Sequence, residues 1–274
     1  MRVAVALLDV RAWGSSQFRL AVAGFRRYST YRQAMIAGTA TNVVFGLLRM
    51  AVLLAALGST ASGSIAGYDV AATVTYVWLG QGLLAFVVLW GDSALANRIR
   101  TGDVVVDLYR PWDLQGALLA EDLGRAAYCA VTRLVPPVVV GALLFPFRWP
   151  TPGRWPVFVV SAVLAVLVSF GMRFLVNATT FWLLDNRGVM ALYGVATGIL
   201  CGLTVPLDFF PEWARFALWF TPLPAIMQSP IDVFIGHGPL WITVGHQLFW
   251  AVALFLLGRL VLARAVRKVV VQGG

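Results

Sequence analysis

Charge is scarce in this chain. Only 12% of its 274 residues are Asp, Glu, Lys or Arg, against about 25% in a soluble domain. Most of its surface therefore does not face water. Lysine is nearly missing: Lys268 is the sole Lys among 21 basic residues. Val269 follows it, so a GxxxxGK[ST] phosphate-binding loop is excluded, and with it ATP hydrolysis by that device. The two cysteines, Cys129 and Cys201, both fall in apolar runs, which argues against a disulfide or a zinc site and for plain buried thiols. The two histidines, His237 and His246, lie towards one face, and no carboxylate stands near the middle of an apolar run. That disfavours a proton relay through the membrane. No Ser-His-Asp set, HExxH motif or zinc constellation appears.

What the chain has is hydrophobicity, at 60% of residues. Several runs approach the roughly 20 residues that cross a bilayer as a helix. The pattern predicts an all-α polytopic membrane protein with six spans, near 36–57, 70–90, 124–146, 156–180, 189–208 and 241–262, in a single domain. The N-terminal stretch MRVAVALLDVRAWG has an apolar run too short for a signal peptide, so it is expected to stay in the mature chain. The net charge of +9 is read as lipid-flanking charge rather than a nucleic-acid surface. Arg2, Arg11, Arg19, Arg26, Arg27, Arg32, Arg98, Arg100, Arg110, Arg125, Arg187, Arg259, Arg264, Arg267 and Lys268 fall on one side of these spans. Arg148, Arg154 and Arg215 fall on the other. The positive-inside rule then places both termini and loop 91–123 in the cytoplasm. Trp149 and Trp155 suit the opposite interface.

Two further segments are neither spans nor simple loops. Residues 15–33 put Phe18, Val22 and Phe25 on one helical face, as an interfacial helix does; an ordinary frayed terminus is the other reading. Residues 209–240 are apolar yet broken by Pro222, Pro224 and Pro230. They are expected as re-entrant or interfacial short helices on the outer side. Trp213, Phe216, Ala217 and Phe220 there have helical spacing.

Three arginines interrupt apolar runs. Arg133 and Arg173 lie near the cytoplasmic ends, where snorkelling is expected. Arg49 lies in the outer half of the first span, where it either meets an anionic part of a substrate or pairs with a carboxylate such as Asp69 or Asp208. Small residues allow close helix packing. Asn42, Thr73, Gln81 and Asn177 either line a mildly polar path with Arg49 or hydrogen-bond between helices.

Residues 97–113, NRIRTGDVVVDLYRPWD, concentrate three Arg and three Asp in an otherwise apolar chain. Residues 92–101 predict a short helix, capped by Asp92 or Ser93 and stopped by Gly102, with VVVDLYRP as a stiff connector. A merely solvated, positive-inside loop is the competing account.

With this order of segments the chain resembles the permease subunit of a bacterial type-2 ABC exporter. The local matches are Ile99-x-x-Gly102 with Leu108-x-Arg110-Pro111, and Pro206-Leu-x-x-Phe210-Pro211-x-Trp213 followed by Pro222, Pro224, Pro230 and Gly236. Phe181-Trp182 also fits. The nearest branch pairs related permeases with a separate ATPase. The resemblance implies a second permease subunit, identical or homologous, and cytoplasmic nucleotide-binding ATPase subunits that bind the ATP and Mg. It implies no cofactor in this chain, a place in the bacterial cytoplasmic membrane and outward movement of an amphipathic or hydrophobic cargo. It also implies a coupling helix between spans two and three, carrying Arg98, Ile99, Arg100, Gly102, Asp103, Leu108, Arg110 and Pro111. An outer gate would be formed by Pro206, Phe210, Pro211, Trp213, Phe216 and Phe220. A membrane-embedded lipid-modifying enzyme would need an Asp, His or Lys cluster at one interface, which the sequence does not display; a non-transporting membrane partner is the remaining alternative.

Overall fold

The computed structural model describes residues 2–30, 32–59, 64–110, 112–183 and 185–272, with side chains described from 14 to 267 outside the gaps and residue 32. The side chains of Arg2, Arg11, Arg32 and Lys268, and all of Pro111, lie outside this set. Among the described residues, every regular element is helical, and five helices are long and apolar enough to span a membrane.

Helix α3 (Val70–Val87) is the axis of the bundle. Tyr76, Val77 and Trp78 are fully buried in it. Its N-terminus is capped by Asp69, whose carboxylate accepts from the Ala72 N–H at 2.8 Å. α2 (Arg32–Gly58) packs on α3 and α13 (Leu240–Gln272) packs on the helix that starts at Arg154, and both expose Leu, Val and Phe, as a lipid-facing helix does.

The third span is longer than the sequence suggested. It starts at Leu114, not near 124, because Asp113 caps α6 (Leu114–Cys129) by accepting from the Gly116 N–H. It passes through a π-helical turn, Ala130–Leu134, into α7 (Val135–Leu144). The cause is Pro136 and Pro137: proline has no N–H and clashes with the carbonyl one turn back. The Thr132 carbonyl left over accepts from Thr39 Oγ1 at 3.3 Å. Close packing rests on glycine. A Cβ on Gly141 would lie 2.3 Å from the Trp78 ring, and one on Gly82 would lie 2.7 Å from the Leu134 oxygen.

α8 (Arg154–Ala178) and the single turn α9 (Thr180–Leu183) form the fourth span. The fifth predicted span is shortened. α10 (Arg187–Leu200) has 14 residues, about 21 Å at 1.5 Å per residue, against a hydrocarbon core of about 30 Å. Beyond Leu200 the chain bends at Gly202, which has φ +83°, and the Cys201 carbonyl accepts the Gln228 N–H at 3.0 Å. So residues 201–208 do not continue the helix.

α1 (Arg2–Ser29) lies along α6. The seam is made of small residues rather than the apolar face expected from 15–33. A Cβ on Gly124 would lie 1.8 Å from the Ala21 oxygen, and one on Gly24 would lie 2.2 Å from the Glu121 oxygen. Phe18 stays exposed, and Phe25 meets Tyr128 edge-on at 5.3 Å.

Candidate functional site

Ser169, Arg173 and Asn177 stand at i, i+4 and i+8 of α8, one helical face. All three are buried and all three hold the segment that follows α3. Ser169 Oγ donates to the Val88 carbonyl at 2.7 Å. Val88 has φ +58°, so the chain turns sharply out of α3 there. Arg173 donates to both Asp92 and Asp122, the latter at 2.7 Å. Asn177 donates to the Asp92 carbonyl at 2.9 Å and accepts from the Ala96 N–H at 3.0 Å. Asp122 also binds Arg125 at 2.7 Å. Arg125 in turn donates to the Ala85 and Phe86 carbonyls at 2.7 and 2.9 Å, satisfying the C-terminus of α3.

The held segment is α4 (Ala94–Thr101), which ends at left-handed Gly102 with φ +84°. Helix and glycine stop therefore appear where the sequence put them; Ser93 holds the cap position without a side-chain bond and Asp92 Oδ1 accepts from the Ala94 N–H at 3.5 Å. Asn177, 81 residues away, adds the bond to the Ala96 N–H. The stiff connector is a second short helix, α5 (Val104–Tyr109). Arg98 bonds Asp107 at 3.0 Å and Arg110 approaches the same carboxylate at 3.6 Å. These pairs fold α5 back on α4. Ile99 and Leu108 pack with buried Leu95 and Val104 against Phe174 and Phe181. Arg100 and Asp103 are exposed, Arg100 bonding Asn97 at 3.0 Å and Asp103 accepting from Thr101 at 2.7 Å. Val106 and Tyr109, not foreseen, are 60% and 86% exposed. An open cavity of about 480 Å³ lies between α4, α6, α8 and Tyr28 of α1.

Of the proposed path, Asn42, Arg49 and Gln81 come together. Asn42 donates to the Gln81 carbonyl at 2.9 Å. The Gln81 side-chain oxygen, oriented to its neighbours, accepts from Arg49 Nη1 at 2.9 Å. Thr73 is buried on α3, and Asn177 belongs to the α4 root. Two expectations are corrected. Arg173 does not snorkel; it is buried between two carboxylates. Arg49 pairs with neither Asp69 nor Asp208: Arg148 takes Asp69, and Arg215 and His237 take Asp208. Arg49 instead donates to the Thr204 carbonyl at 2.9 Å. Arg133 reaches the Met35 carbonyl at 3.4 Å.

At the other end of the bundle, the outer segment splits in two. α12 (Gln228–Ile235) is buried against α8 and α3. Gln228 donates to Tyr68 and Asp232 at 2.9 and 2.8 Å and accepts from the Leu207 N–H at 3.0 Å. Tyr68 also donates to Asp232 at 3.0 Å, and His237 lies 3.5 Å from Asp208. Burial, reinforced by the Asp208 charge, raises Asp232 to about 8. Its hydrogen bond to Asp208 raises His237. This titratable group was invisible in the sequence because its members are up to 169 positions apart (68 to 237). α11 (Glu212–Trp219) is the other half. Pro211 precedes it and Leu218 anchors it, while Trp213, Phe216 and Phe220 are 74%, 69% and 64% exposed. Pro206 is buried and Phe210 packs on the core. The six residues expected at an outer gate thus divide into anchors and an exposed aromatic face.

Among the described residues no group of three or more His, Cys, Asp or Glu gathers as a metal site. No curated protein matches the chain significantly. A model of the ABC-2 family transporter proteins matches residues 45–273, from the middle of α2 to beyond the end of α13. With the helical bundle and its long apolar spans, that match over most of the chain makes this a multi-pass membrane protein of the ABC-2 transporter family.

Proposed function

We propose that this chain is the permease subunit of an ATP-driven exporter in a bacterial cytoplasmic membrane. It works with a second permease subunit, and separate ATPase subunits bind ATP and Mg. The α4–α5 hairpin receives the ATPase from the cytoplasm, where both termini also lie. The observation that carries this reading is the contrast between the held and the exposed faces of the hairpin. Its inner face is held by hydrogen bonds from Asn177 and Arg173, while its outer face presents Arg100, Val106 and Tyr109. A rigid element with one face fixed and an exposed apolar and cationic face can transmit displacement into α8. Arg98 and Arg110 serve the hairpin's own fold through Asp107, so Arg100 is the cation available to a partner. Pro111 would bound the hairpin before α6.

At the opposite end, α11 and its aromatic face form the outer gate with the second permease. The cargo is amphipathic or hydrophobic. The test is capture of a nucleotide-binding subunit from native membranes by the tagged chain, followed by transport in vesicles. Arg100→Glu should reduce capture, and Arg154→Glu should not. Absence of any nucleotide-binding protein in the wild-type eluate contradicts the reading.

A further inference from the structure

We infer that Arg49 is an anion-binding residue and that the cargo is an anionic amphiphile; this rests on the exporter reading above. Arg49 stands 17 residues into α2, about 25 Å along the helix and inside an apolar span. A charge at that depth is expensive unless it meets an opposite charge or an aqueous path. Among the described residues it meets neutral acceptors: the Thr204 carbonyl and the Gln81 amide oxygen. Its Nε is buried without a hydrogen-bond partner.

Among the described residues no acid is paired with Arg49, and most are held elsewhere. Asp69, Asp92, Asp107, Asp113, Asp122, Asp185 and Asp208 are each in ion pairs with other cations. Asp232 is bound by Tyr68 and Gln228. Meanwhile Phe45 and Val52, four before and three after Arg49 on the same helical face, are 56% and 68% exposed. Thr204, whose carbonyl Arg49 holds, is exposed too. A guanidinium between exposed apolar side chains fits a molecule with an anionic head and a hydrocarbon body. Arg133 and Arg173 do not offer this: Arg173 is neutralised by two carboxylates, and Arg133 fills the space above Gly38.

The test uses the full chain captured with its ATPase subunits. Lysophosphatidic acid and lysophosphatidylcholine with the same acyl chain are offered, and retention is read by native mass spectrometry. Wild type should retain the anionic lipid about tenfold better, as expected of a charge-assisted contact. Arg49→Gln should abolish that preference, Arg49→Lys should keep most of it, and Arg133→Gln should leave it unchanged. Addition of ATP should release the anionic lipid if it occupies the cargo site. Equal retention of both lipids by wild type overturns the inference, as does an undiminished preference in Arg49→Gln. Lipid that stays bound through ATP turnover marks a resident lipid and overturns the cargo assignment. If the lipids are not discriminated but the ATPase is still captured, the exporter reading stands and only the cargo class falls. If wild type captures no ATPase, the exporter reading itself falls.

Discussion

Asn177 Oδ1 accepts the backbone N–H of Ala96 at 3.0 Å, so one side chain of α8 caps a helix that begins after a separate turn of the chain. Removing that acceptor leaves a buried N–H unsatisfied, which costs about 1–3 kcal/mol. Asn177→Leu should therefore speed amide exchange across residues 94–101 while leaving 228–235 unchanged. Uniform change across both segments would point to global destabilisation instead.

Arg173 and Asp122 are expected to be coupled. Breaking a buried ion pair by removing one partner costs about 3–5 kcal/mol. Arg173→Gln leaves Asp122 with Arg125 alone, and Asp122→Asn leaves both arginines short of charge. The double variant should lose less stability than the sum of the singles, read by thermal melts in detergent. Strict additivity would mean that the two side chains do not interact.

The α1–α6 seam should not tolerate a side chain. Gly124→Val places atoms against the Ala21 carbonyl, where even a Cβ has 1.8 Å. Overpacking costs about 1–3 kcal/mol, and α1 should lift and become sensitive to protease. Gly198→Ala, with nothing within 4 Å, should be neutral or slightly stabilising by helix propensity.

The Asp232 group predicts a pH dependence. Asp232 is raised from 3.8 to about 8, so between those values the folded state holds a proton that the unfolded chain gives up. Stability then falls as pH rises from about 4 to about 8. His237, raised through its bond to Asp208, stabilises most below its ordinary value of 6.5 and loses that contribution as pH rises past its folded value. Tyr68, also raised by burial, stays neutral throughout. Both effects have the same sign, so melting temperature should drop between pH 6 and 8.5. Asp232→Asn should flatten the slope, and a slope unchanged by that substitution would contradict the assignment.

How much of this was legible follows from what is local. Gly102 after a short polar run marks the end of α4 because left-handed backbone favours glycine. The apolar runs mark the spans, since length and hydropathy suffice. The cap of α4 was not legible, because Asn177 is distant in sequence and looks like any polar residue in a span. Arg173 resembled a snorkelling residue for the same reason: its two carboxylates lie in other elements. The fifth span was overextended because residues 201–208 are apolar, and only the contact between Cys201 and Gln228 reveals the bend. Tyr109 and Val106 read as connector residues until α5 turned them outward.

The central claim is that the exposed face of the α4–α5 hairpin is the ATPase docking surface. It is tested most directly by a photo-crosslinking residue at Tyr109, with Trp213 as the control position at the other end of the bundle. In native membranes, light should join Tyr109-substituted protein to a nucleotide-binding subunit, more weakly when Arg100→Glu is also present, and the Trp213 position should not. A crosslink to the ATPase from position 213 with none from position 109 would contradict the account.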